Sequence, residues 1–277
     1  MKEKNKMNRI DTTFTALKEK GESALVGFVT AGDPDYSKSL DIVKTMCASG
    51  LDVLELGIPF SDPTADGPVI QRSSARSLEN RTNLASVMAM TRELRKETDI
   101  PIILFSYYNP ILAYGPVAFY DQAVAAGADG ALVVDLPPEE SHEMTELWAG
   151  NKLSLIRLVA PTTPRDRMVY IAETATGFLY LVSKTGVTGS EGLDLTEVAA
   201  NTAALKSISS LPVCVGFGIS TPEDVAAIAA TADGVVIGSA FEKIIEDNLE
   251  NPDLVTIMGA TVKGLKAATV KNMLSSK

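Results

Sequence analysis

Three carboxylates in and directly after the second apolar run of the chain provide the clearest candidates for chemistry. Glu55 lies between two leucines, and the proline-rich loop behind it carries Asp62 and Asp66. If the run is a strand, alternation places Leu54 and Leu56 on one face and Glu55 on the other, in the interior of the fold. A carboxylate in an apolar interior is costly unless it has a partner or a raised pKa. Glu55 is therefore either a structural residue paired with a basic side chain or an acid–base group.

The two loop aspartates also have an ordinary structural explanation. Asp62 precedes Pro63, and Asp66 precedes Gly67. Aspartate beside proline or glycine is commonly a turn former. The spacing alone therefore makes neither aspartate catalytic.

Three glycine-bearing turns later in the chain form a second group of candidates. They lie at 185–189, 216–220 and 238–239, each at or just after the end of a short apolar run. Glycine lets backbone amides approach an anion closely, and a helix N-terminus adds partial positive charge. One such turn is commonly structural, but three in successive units predict a phosphate site. The sequence has neither a Walker A motif nor G-x-G-x-x-G, so a nucleotide is not implied.

A repeated unit must position these residues. Eight short apolar runs alternate with segments of helical periodicity, and such runs are typical of parallel strands buried on both faces. The runs are 24–30, 53–59, 102–108, 131–137, 153–160, 178–183, 212–219 and 234–239. Eight alternating units predict an α/β fold, a (β/α)8 TIM barrel of the phosphate-binding type, with the active site at the C-terminal strand ends. An open doubly wound sheet is the structural alternative.

No linker or low-complexity stretch divides the chain. We therefore expect residues 1–277 to form a single barrel domain, with a short N-terminal extension and a helix before the first strand. The second and third runs begin roughly 49 residues apart, which predicts an enlarged loop after the second strand. The segment 220–224 offers a capping hydroxyl, a proline and two acids at the start of a helix.

Composition excludes several function classes. The formal net charge of −10 argues against a nucleic-acid partner. Cys47 and Cys214 lie in apolar stretches and are expected to be free thiols, and His142 is the only histidine, which argues against a histidine triad or metal cluster. The basic start has no apolar segment behind it, and no run is long enough to span a membrane. We expect a soluble protein of the cytoplasm.

Several ordered motifs resemble the tryptophan synthase alpha chain family. In chain order they are Gly27 to Pro34, Glu55 to Pro63 with Ala65 to Pro68, Tyr180 to Ser183 with Gly186 to Gly189, Gly216 to Ser220, and Gly238 to Ala240. The similarity extends from about Phe14 to about Ala268. It implies a lyase of tryptophan biosynthesis that cleaves indole-3-glycerol phosphate to indole and glyceraldehyde 3-phosphate.

The resemblance also implies roles for individual residues. Glu55 matches the catalytic glutamate, and Asp66 matches the aspartate that acts through the indole nitrogen. The substrate-binding positions comprise an indole pocket, a tyrosine at the reaction centre, a loop threonine that couples to the second-strand loop, and a phosphate cradle. Phe28 and Phe217 match the indole pocket, Tyr180 matches the tyrosine at the reaction centre, and Thr188 matches the loop threonine. The phosphate cradle is matched by Gly189, Gly218, Gly238 and Ser239. From the residues alone, Phe28, Tyr180 and Phe217 are first of all candidates for the core.

Two positions depart from the commonest family pattern. Thr64 stands where an apolar residue is frequent, and Lys184-Thr185 replaces a variable pair before Gly186. Both departures lie in predicted mobile loops. They bear on loop closure rather than on the reaction.

The resemblance implies a partner as well. It predicts an alpha2beta2 heterotetramer with a tryptophan synthase beta chain, with pyridoxal phosphate on the beta chain only and no metal or cofactor on this one. The loop 59–68 and the turn around Pro137 are the expected interface.

The alternatives are other phosphate barrels or a barrel without this reaction. An indole-glycerol-phosphate synthase should show strand-borne lysines, and a sugar-phosphate epimerase should show metal-binding histidines; neither pattern is present in the sequence. A non-catalytic barrel that senses a phosphate ligand and regulates a partner, or an autonomous indole-releasing lyase, remains possible from the sequence.

Overall fold

The computed structural model describes residues 8–148, 152–183, 194–216 and 218–271. In these ranges eight parallel strands close into a barrel in chain order, with β8 paired to β1. The strands are β1 (Ala24–Thr30), β2 (Val53–Gly57), β3 (Ile102–Ser106), β4 (Gly130–Val133), β5 (Ser154–Val159), β6 (Leu179–Val182), β7 (Val213–Gly216) and β8 (Gly234–Ile237). The closed ring confirms the TIM barrel and excludes the open sheet.

Helices surround this ring and cover its outer face. The first five in the chain are α1 (Arg9–Lys20), α2 (Tyr36–Ala48), α3 (Pro68–Glu79), α4 (Leu84–Arg95) and α5 (Tyr108–Tyr114). They are followed by α6 (Pro116–Ala126), α7 (His142–Thr145), α8 (Arg165–Glu173), α9 (Leu195–Ile208), α10 (Pro222–Ala229), α11 (Ser239–Asp247) and α12 (Leu254–Ala267). The loop 58–67 after β2 is enlarged, as expected, and the additional helix α3 accounts for the rest of the long spacing.

Strand alternation divides the apolar residues into two clusters. The outer cluster joins the strands to the helices and includes Leu54, Leu56 and Leu104. The lumen cluster fills the barrel and includes Ile103 and Tyr180. Successive residues of one strand thus belong to different clusters, because side chains alternate across a sheet.

Helix α1 closes the N-terminal end of the barrel. Its residues Ile10, Phe14 and Leu17 are buried and belong to the lumen cluster. The ring of Phe14 lies 5.8 Å from the ring of Phe178, which precedes β6. The helix ends at Gly21, whose φ of 68° is the left-handed conformation that glycine adopts without strain. The barrel is therefore a filled core with a single functional end.

Most strands are shorter than the apolar runs that predict them. The predicted strand 53–59 ends at Gly57, 131–137 ends at Val133, and 212–219 ends at Gly216. An apolar residue beyond each of these ends remains buried, with Ile58 and Leu136 6% exposed and Ile219 2% exposed. Apolar sequence therefore continues into buried loops, and it overestimates strand length for that reason.

Local signals in the sequence are confirmed where the structure describes them. Thr221 caps α10 in a reciprocal capping box with Asp224. Cys47 and Cys214 are free thiols. Among the described residues, no helix combines the length and the apolar character needed to cross a bilayer. The assignment of residues 1–277 to one domain stays a prediction.

Candidate active site

Glu55 lies in the middle of β2 with its side chain in the barrel lumen. It pairs in register with Phe28 of β1 and with Ile103 of β3, and Ile103 belongs to the lumen cluster. The leucines on either side of Glu55 belong to the outer cluster, which confirms the predicted inward orientation. Glu55 is 0% exposed, and neither carboxylate oxygen has a hydrogen-bond partner among the described residues. A structural ion pair with a basic side chain is therefore not found in this part of the chain.

Burial determines the protonation state of Glu55. Desolvation raises the pKa of its carboxyl from 4.5 to about 8. The charged form loses its water and gains no partner in return, so the neutral form is favoured. At neutral pH Glu55 is thus mainly a protonated acid, and after giving up that proton it becomes a base of matching strength.

Asp66 occupies the loop between β2 and α3, where several hydrogen bonds fix it. Its Oδ2 accepts a hydrogen bond from the Tyr107 hydroxyl at 2.9 Å, and that hydroxyl accepts one from the Ala65 amide at 3.0 Å. The Asp66 amide donates to the Pro63 carbonyl at 3.0 Å, and Gln71 Nε2 donates to the Asp66 carbonyl at 2.8 Å. The loop thus holds both the backbone and the carboxylate of Asp66.

The electrostatics of Asp66 differ from those of Glu55. Burial raises the pKa of Asp66 to about 6, and the hydrogen bond from Tyr107 opposes that rise. Asp66 is therefore mainly ionised at neutral pH, when Glu55 is mainly protonated. Two carboxyl groups with separated pKa values can take separate acid and anion roles in one site.

Tyr107 is a site residue that the sequence analysis misses. It lies directly after β3, is 3% exposed and packs its ring 5.2 Å from the ring of Phe60. The third apolar run includes Tyr107, so the sequence predicts a strand residue there. The position of Tyr107 at the end of the third run is the signal that could identify it as a site residue. Side chains at the C-terminal end of a barrel strand commonly face the active site.

Small hydroxyl residues of α3 fasten the loops around this site. Thr30 Oγ1 and Ser73 Oγ lie 2.7 Å apart, and Ser77 Oγ donates at 2.6 Å to the carbonyl that follows β1. The Phe60 amide donates to Ser74 Oγ at 3.2 Å. Helix α3 thereby ties the ends of β1 and β2 to the segment that carries Asp66.

Tyr180 lies on β6 with its side chain in the lumen cluster. Burial raises the pKa of its phenol well above 10, so the hydroxyl keeps its proton at neutral pH. A Cβ at Gly216 of β7 would collide with the Tyr180 hydroxyl, so glycine is needed there.

Phe28 connects the carboxylate side of the lumen to the glycine turns. It is 6% exposed and packs edge-on against Phe105, with ring centroids 4.9 Å apart. A Cβ at Gly57 would lie only 2.8 Å from its ring, and one at Gly238 would lie 3.4 Å from its Cβ. Phe28 is therefore placed between the Glu55 strand and the start of α11.

The described residues of the predicted phosphate cradle lie at the C-terminal ends of β7 and β8. Gly238 is the N-cap of α11, where it makes no side-chain cap hydrogen bond, and Ser239 begins the helix and is exposed. Gly218 is exposed and has a φ of 73°, which favours glycine. By contrast, Thr221 caps the neighbouring α10. An uncapped N-terminus of a short helix after strand eight is the usual place for phosphate in such barrels.

Three of the predicted site residues, Thr188, Gly189 and Phe217, lie outside the described residues. The other seven are brought to one end of the barrel: Glu55, Asp66, Phe28, Tyr180, Gly218, Gly238 and Ser239. In the described ranges, no three His, Cys, Asp or Glu side chains are grouped as metal ligands would be. The site thus combines apolar side chains of the lumen, a neutral acid, a fixed carboxylate and a helix terminus suited to an anion.

Comparison with known proteins gives this arrangement a family. The family model described as tryptophan synthase alpha chain matches residues 14–270. A tryptophan synthase alpha chain from Desulfatibacillum aliphaticivorans is 63% identical over 263 residues, which cover 95% of this chain and 99% of that protein.

Solved structures agree with the sequence comparison. Tryptophan synthase subunit alpha from Legionella pneumophila superposes with a TM-score of 0.87 at 43% identity and covers 95% of this chain and 99% of its own. A chain of Mycobacterium tuberculosis tryptophan synthase superposes with a TM-score of 0.88 at 29% identity and covers 96% and 100%. The fold, the geometry of the site and the near-complete match together show that the chain belongs to the tryptophan synthase alpha chain family.

Proposed function

We propose that Glu55 and Asp66 are the groups with which this lyase cleaves indole-3-glycerol phosphate to indole and glyceraldehyde 3-phosphate. Membership of the tryptophan synthase alpha chain family supplies the reaction and its place in tryptophan biosynthesis. The roles of the residues rest on the site itself. The observation that carries them is Glu55, a buried carboxyl that has no partner among the described residues and opens onto the lumen.

The reaction breaks the bond between indole C3 and the glycerol chain, and Glu55 serves both proton transfers. In its neutral form Glu55 gives its proton to C3, which becomes tetrahedral. Glu55 then takes the proton of the hydroxyl on the adjacent chain carbon, whose oxygen becomes the aldehyde carbonyl. The electron pair of the broken bond returns to the indole ring, which leaves neutral indole and restores protonated Glu55.

Asp66 stabilises the charge that this sequence creates. Protonation at C3 leaves positive charge at the ring nitrogen, and an ionised carboxylate held beside that nitrogen lowers the energy of the charged state. Tyr107 positions Asp66 through the 2.9 Å hydrogen bond and keeps its pKa from rising further. Tyr180 and Phe28 form the lumen walls against which the indole ring packs.

The phosphate of the substrate binds at the N-terminus of α11. Gly218, Gly238 and Ser239 form its cradle, with Thr188, Gly189 and Phe217 completing the site as the family resemblance implies. Phe28 lies beside both Gly57 and Gly238, so a ligand that spans from β2 to β8 passes it. The chemistry requires neither a metal nor a cofactor on this chain.

As a member of this family, the chain pairs with a tryptophan synthase beta chain. We propose an alpha2beta2 heterotetramer in the cytoplasm, with pyridoxal phosphate on the beta chain alone. The loop 59–68 and the turn around Pro137 form the interface. Because this loop also carries Asp66, docking positions a catalytic group.

The direct test measures indole release from indole-3-glycerol phosphate by the purified chain, with and without increasing amounts of beta chain. We expect turnover by the chain alone and an increase in kcat on addition of the beta chain, and Asp62→Ala is expected to weaken the association. A flat titration without a complex on gel filtration would indicate an autonomous lyase. No indole under any condition would indicate a non-catalytic, phosphate-sensing barrel.

Binding of the phosphate is tested separately with glycerol phosphate. Ligand bound to the folded state raises its unfolding temperature. Glycerol phosphate should protect the wild type and should protect Gly238→Val much less, because the valine side chain would stand at the helix N-terminus. Equal protection of both proteins would place the phosphate elsewhere.

A further inference from the structure

Asp135 lies two residues beyond the end of β4 and bonds to the chain segment that carries Tyr107. Its Oδ1 accepts a hydrogen bond from the Tyr108 amide at 2.7 Å. The Val134 amide next to it donates to the Ser106 carbonyl at 2.9 Å, so the ends of β3 and β4 remain paired up to this point. The side chain of Asp135 is exposed, and the proposed mechanism assigns it no task.

The peptide bond between Tyr107 and Tyr108 has both of its polar groups bonded. Ser106 Oγ donates to the Tyr107 carbonyl at 2.7 Å, and Asp135 accepts from the Tyr108 amide. A peptide unit is planar, and its carbonyl and amide point in opposite directions. Two bonds to these groups therefore fix the rotation of the unit, and with it the backbone from which the Tyr107 side chain projects.

The hydroxyl of Tyr107 depends on that orientation. It donates to Asp66 Oδ2 at 2.9 Å and accepts from the Ala65 amide at 3.0 Å, at the far end of a long side chain. A small rotation of the backbone becomes a larger displacement at the hydroxyl, and a hydrogen bond weakens steeply away from its preferred geometry. The bond that holds Asp66 thus depends on the anchored peptide next to Tyr107.

Asp135 also has an ordinary structural explanation as a helix cap. Tyr107 is the N-cap residue of α5 and makes no side-chain cap hydrogen bond, so the Asp135 carboxylate takes the place of one. Asp35 provides a cap of the usual kind for α2, where it accepts from the Lys38 amide at 2.9 Å. The two caps differ in what lies beside them, because α5 begins directly after Tyr107 and α2 carries none of the residues assigned to the site.

We propose that Asp135 is a positioning residue for the cleavage reaction: it holds the peptide between Tyr107 and Tyr108 so that the Tyr107 hydroxyl stays on Asp66. Asp135 acts through Tyr107 and not on the reacting atoms. This inference rests on the proposed role of Asp66 as the ionised carboxylate. Without Asp135, Asp66 loses part of the hydrogen bond that favours its charged form.

The test is the pH profile of kcat/KM for indole release by the full chain. In Asp135→Ala, the acid limb set by Asp66 should move to higher pH by roughly half a unit or more, and kcat should fall by about three- to tenfold, as for one weakened hydrogen bond. Removal of a negative charge alone would move this limb to lower pH, so the direction of the shift separates positioning from a charge effect.

Two variants serve as controls. Asp135→Asn keeps an oxygen that accepts from the Tyr108 amide, so its acid limb should lie at or slightly below that of the wild type. Asp35→Ala removes a carboxylate cap elsewhere and should lower the unfolding temperature without moving the limb. Circular dichroism confirms that each variant is folded.

A double variant tests the route through Tyr107. Asp135→Ala added to Tyr107→Phe should produce no further shift and no further loss of kcat, since the hydroxyl through which it acts is already absent. Additive effects, an unmoved limb in folded Asp135→Ala, or a shift that appears only when the beta chain is present would overturn the proposal while leaving the role of Asp66 intact. No indole from the wild type would overturn the proposed function and this inference with it.

Discussion

Glu55 and Glu242 are both 0% exposed, and burial raises the pKa of both, yet their surroundings differ. Glu55 lies in the lumen, and neither of its oxygens is bonded to a described residue. Glu242 lies on α11, and its Oε1 accepts a hydrogen bond from the Thr30 amide at the end of β1. It also lies near Asp33, whose carboxylate Arg76 binds at 2.7 and 2.8 Å.

The difference shows that a raised pKa does not by itself identify a catalytic acid. Glu242 is used as an acceptor that joins the end of β1 to α11, and its neighbours Asp33 and Arg76 extend that connection to α3. Glu55 has no such structural use. Only Glu55 has both carboxylate oxygens free of partners among the described residues, and its side chain lies in the lumen, where we propose that the substrate binds.

Replacement of each glutamate by glutamine separates the two roles most sharply. Glu55→Gln should lower kcat for indole release by at least the ~10²–10⁴-fold typical of an acid–base group, because an amide neither gives nor takes the proton. Glu242→Gln keeps an acceptor for the Thr30 amide and should stay within a few-fold of wild type. Steady-state indole release from both variants provides the measurement.

Circular dichroism and thermal unfolding of both variants serve as the control for folding. Near-normal turnover by a folded Glu55→Gln would remove Glu55 from the mechanism. A loss in Glu242→Gln as large as that in Glu55→Gln would show that the two glutamates do not differ in the way their contacts indicate.

Asp66 is a third carboxylate, partly buried and bonded by Tyr107, and it extends the comparison. Asp66→Asn should lower kcat by about 10²-fold with a smaller change in KM, since charge on the ring nitrogen grows towards the transition state. Tyr107→Phe should cost only about 5- to 10-fold, the value of one hydrogen bond. If Asp66→Asn changes KM alone, Asp66 binds substrate without stabilising the transition state.

The pH dependence of kcat/KM should show both ionisations. Activity requires ionised Asp66 and protonated Glu55, so it should rise through a pKa of about 6 and fall through a pKa of about 8. Because the Tyr107 hydrogen bond lowers the pKa of Asp66, Tyr107→Phe should move the acid limb to higher pH and leave the alkaline limb in place. A profile that stays flat between pH 5 and 9 would contradict both assignments.

Much of this site could be predicted from local sequence. Alternation around Glu55 gives its inward direction, and glycines after apolar runs indicate where strands end at the mouth. The contact between Tyr107 and Asp66 joins residues 41 positions apart, and it depends on how the β2 loop folds over β3. No local pattern encodes such a contact.

The difference between Glu55 and Glu242 should also affect the free energy of unfolding, with a smaller effect than the one on turnover. The folded-state pKa of Glu55 is about 8 against 4.5 for the ordinary group, so between these values the unfolded chain releases a proton that the folded chain keeps. The free energy of unfolding of the wild type therefore falls as pH rises from about 4.5 to 8. Glu55→Leu should remove this loss and be more stable than wild type at pH 8, by up to a few kcal/mol, with the gain shrinking towards pH 5.

Glu242→Leu provides the matched variant. It leaves the buried Thr30 amide without its acceptor, which should cost about 1–3 kcal/mol. Urea unfolding at pH 5 and pH 8 measures both effects. Stabilisation by both leucine variants, or by neither, would mean that the hydrogen bond to Thr30 does not distinguish the two sites.

Helix α1 closes the N-terminal end of the barrel, and this closure limits how the substrate enters and the products leave. Among the described residues, Ile10, Phe14 and Leu17 fill that end and the Phe178 ring packs against Phe14, so this part of the chain leaves no passage there for a ring the size of indole. The substrate must therefore enter, and both products must leave, through the opening at the C-terminal end of the barrel. A protein that covers this C-terminal opening determines the order in which the two products leave. A partner bound there receives indole before the bulk solvent does.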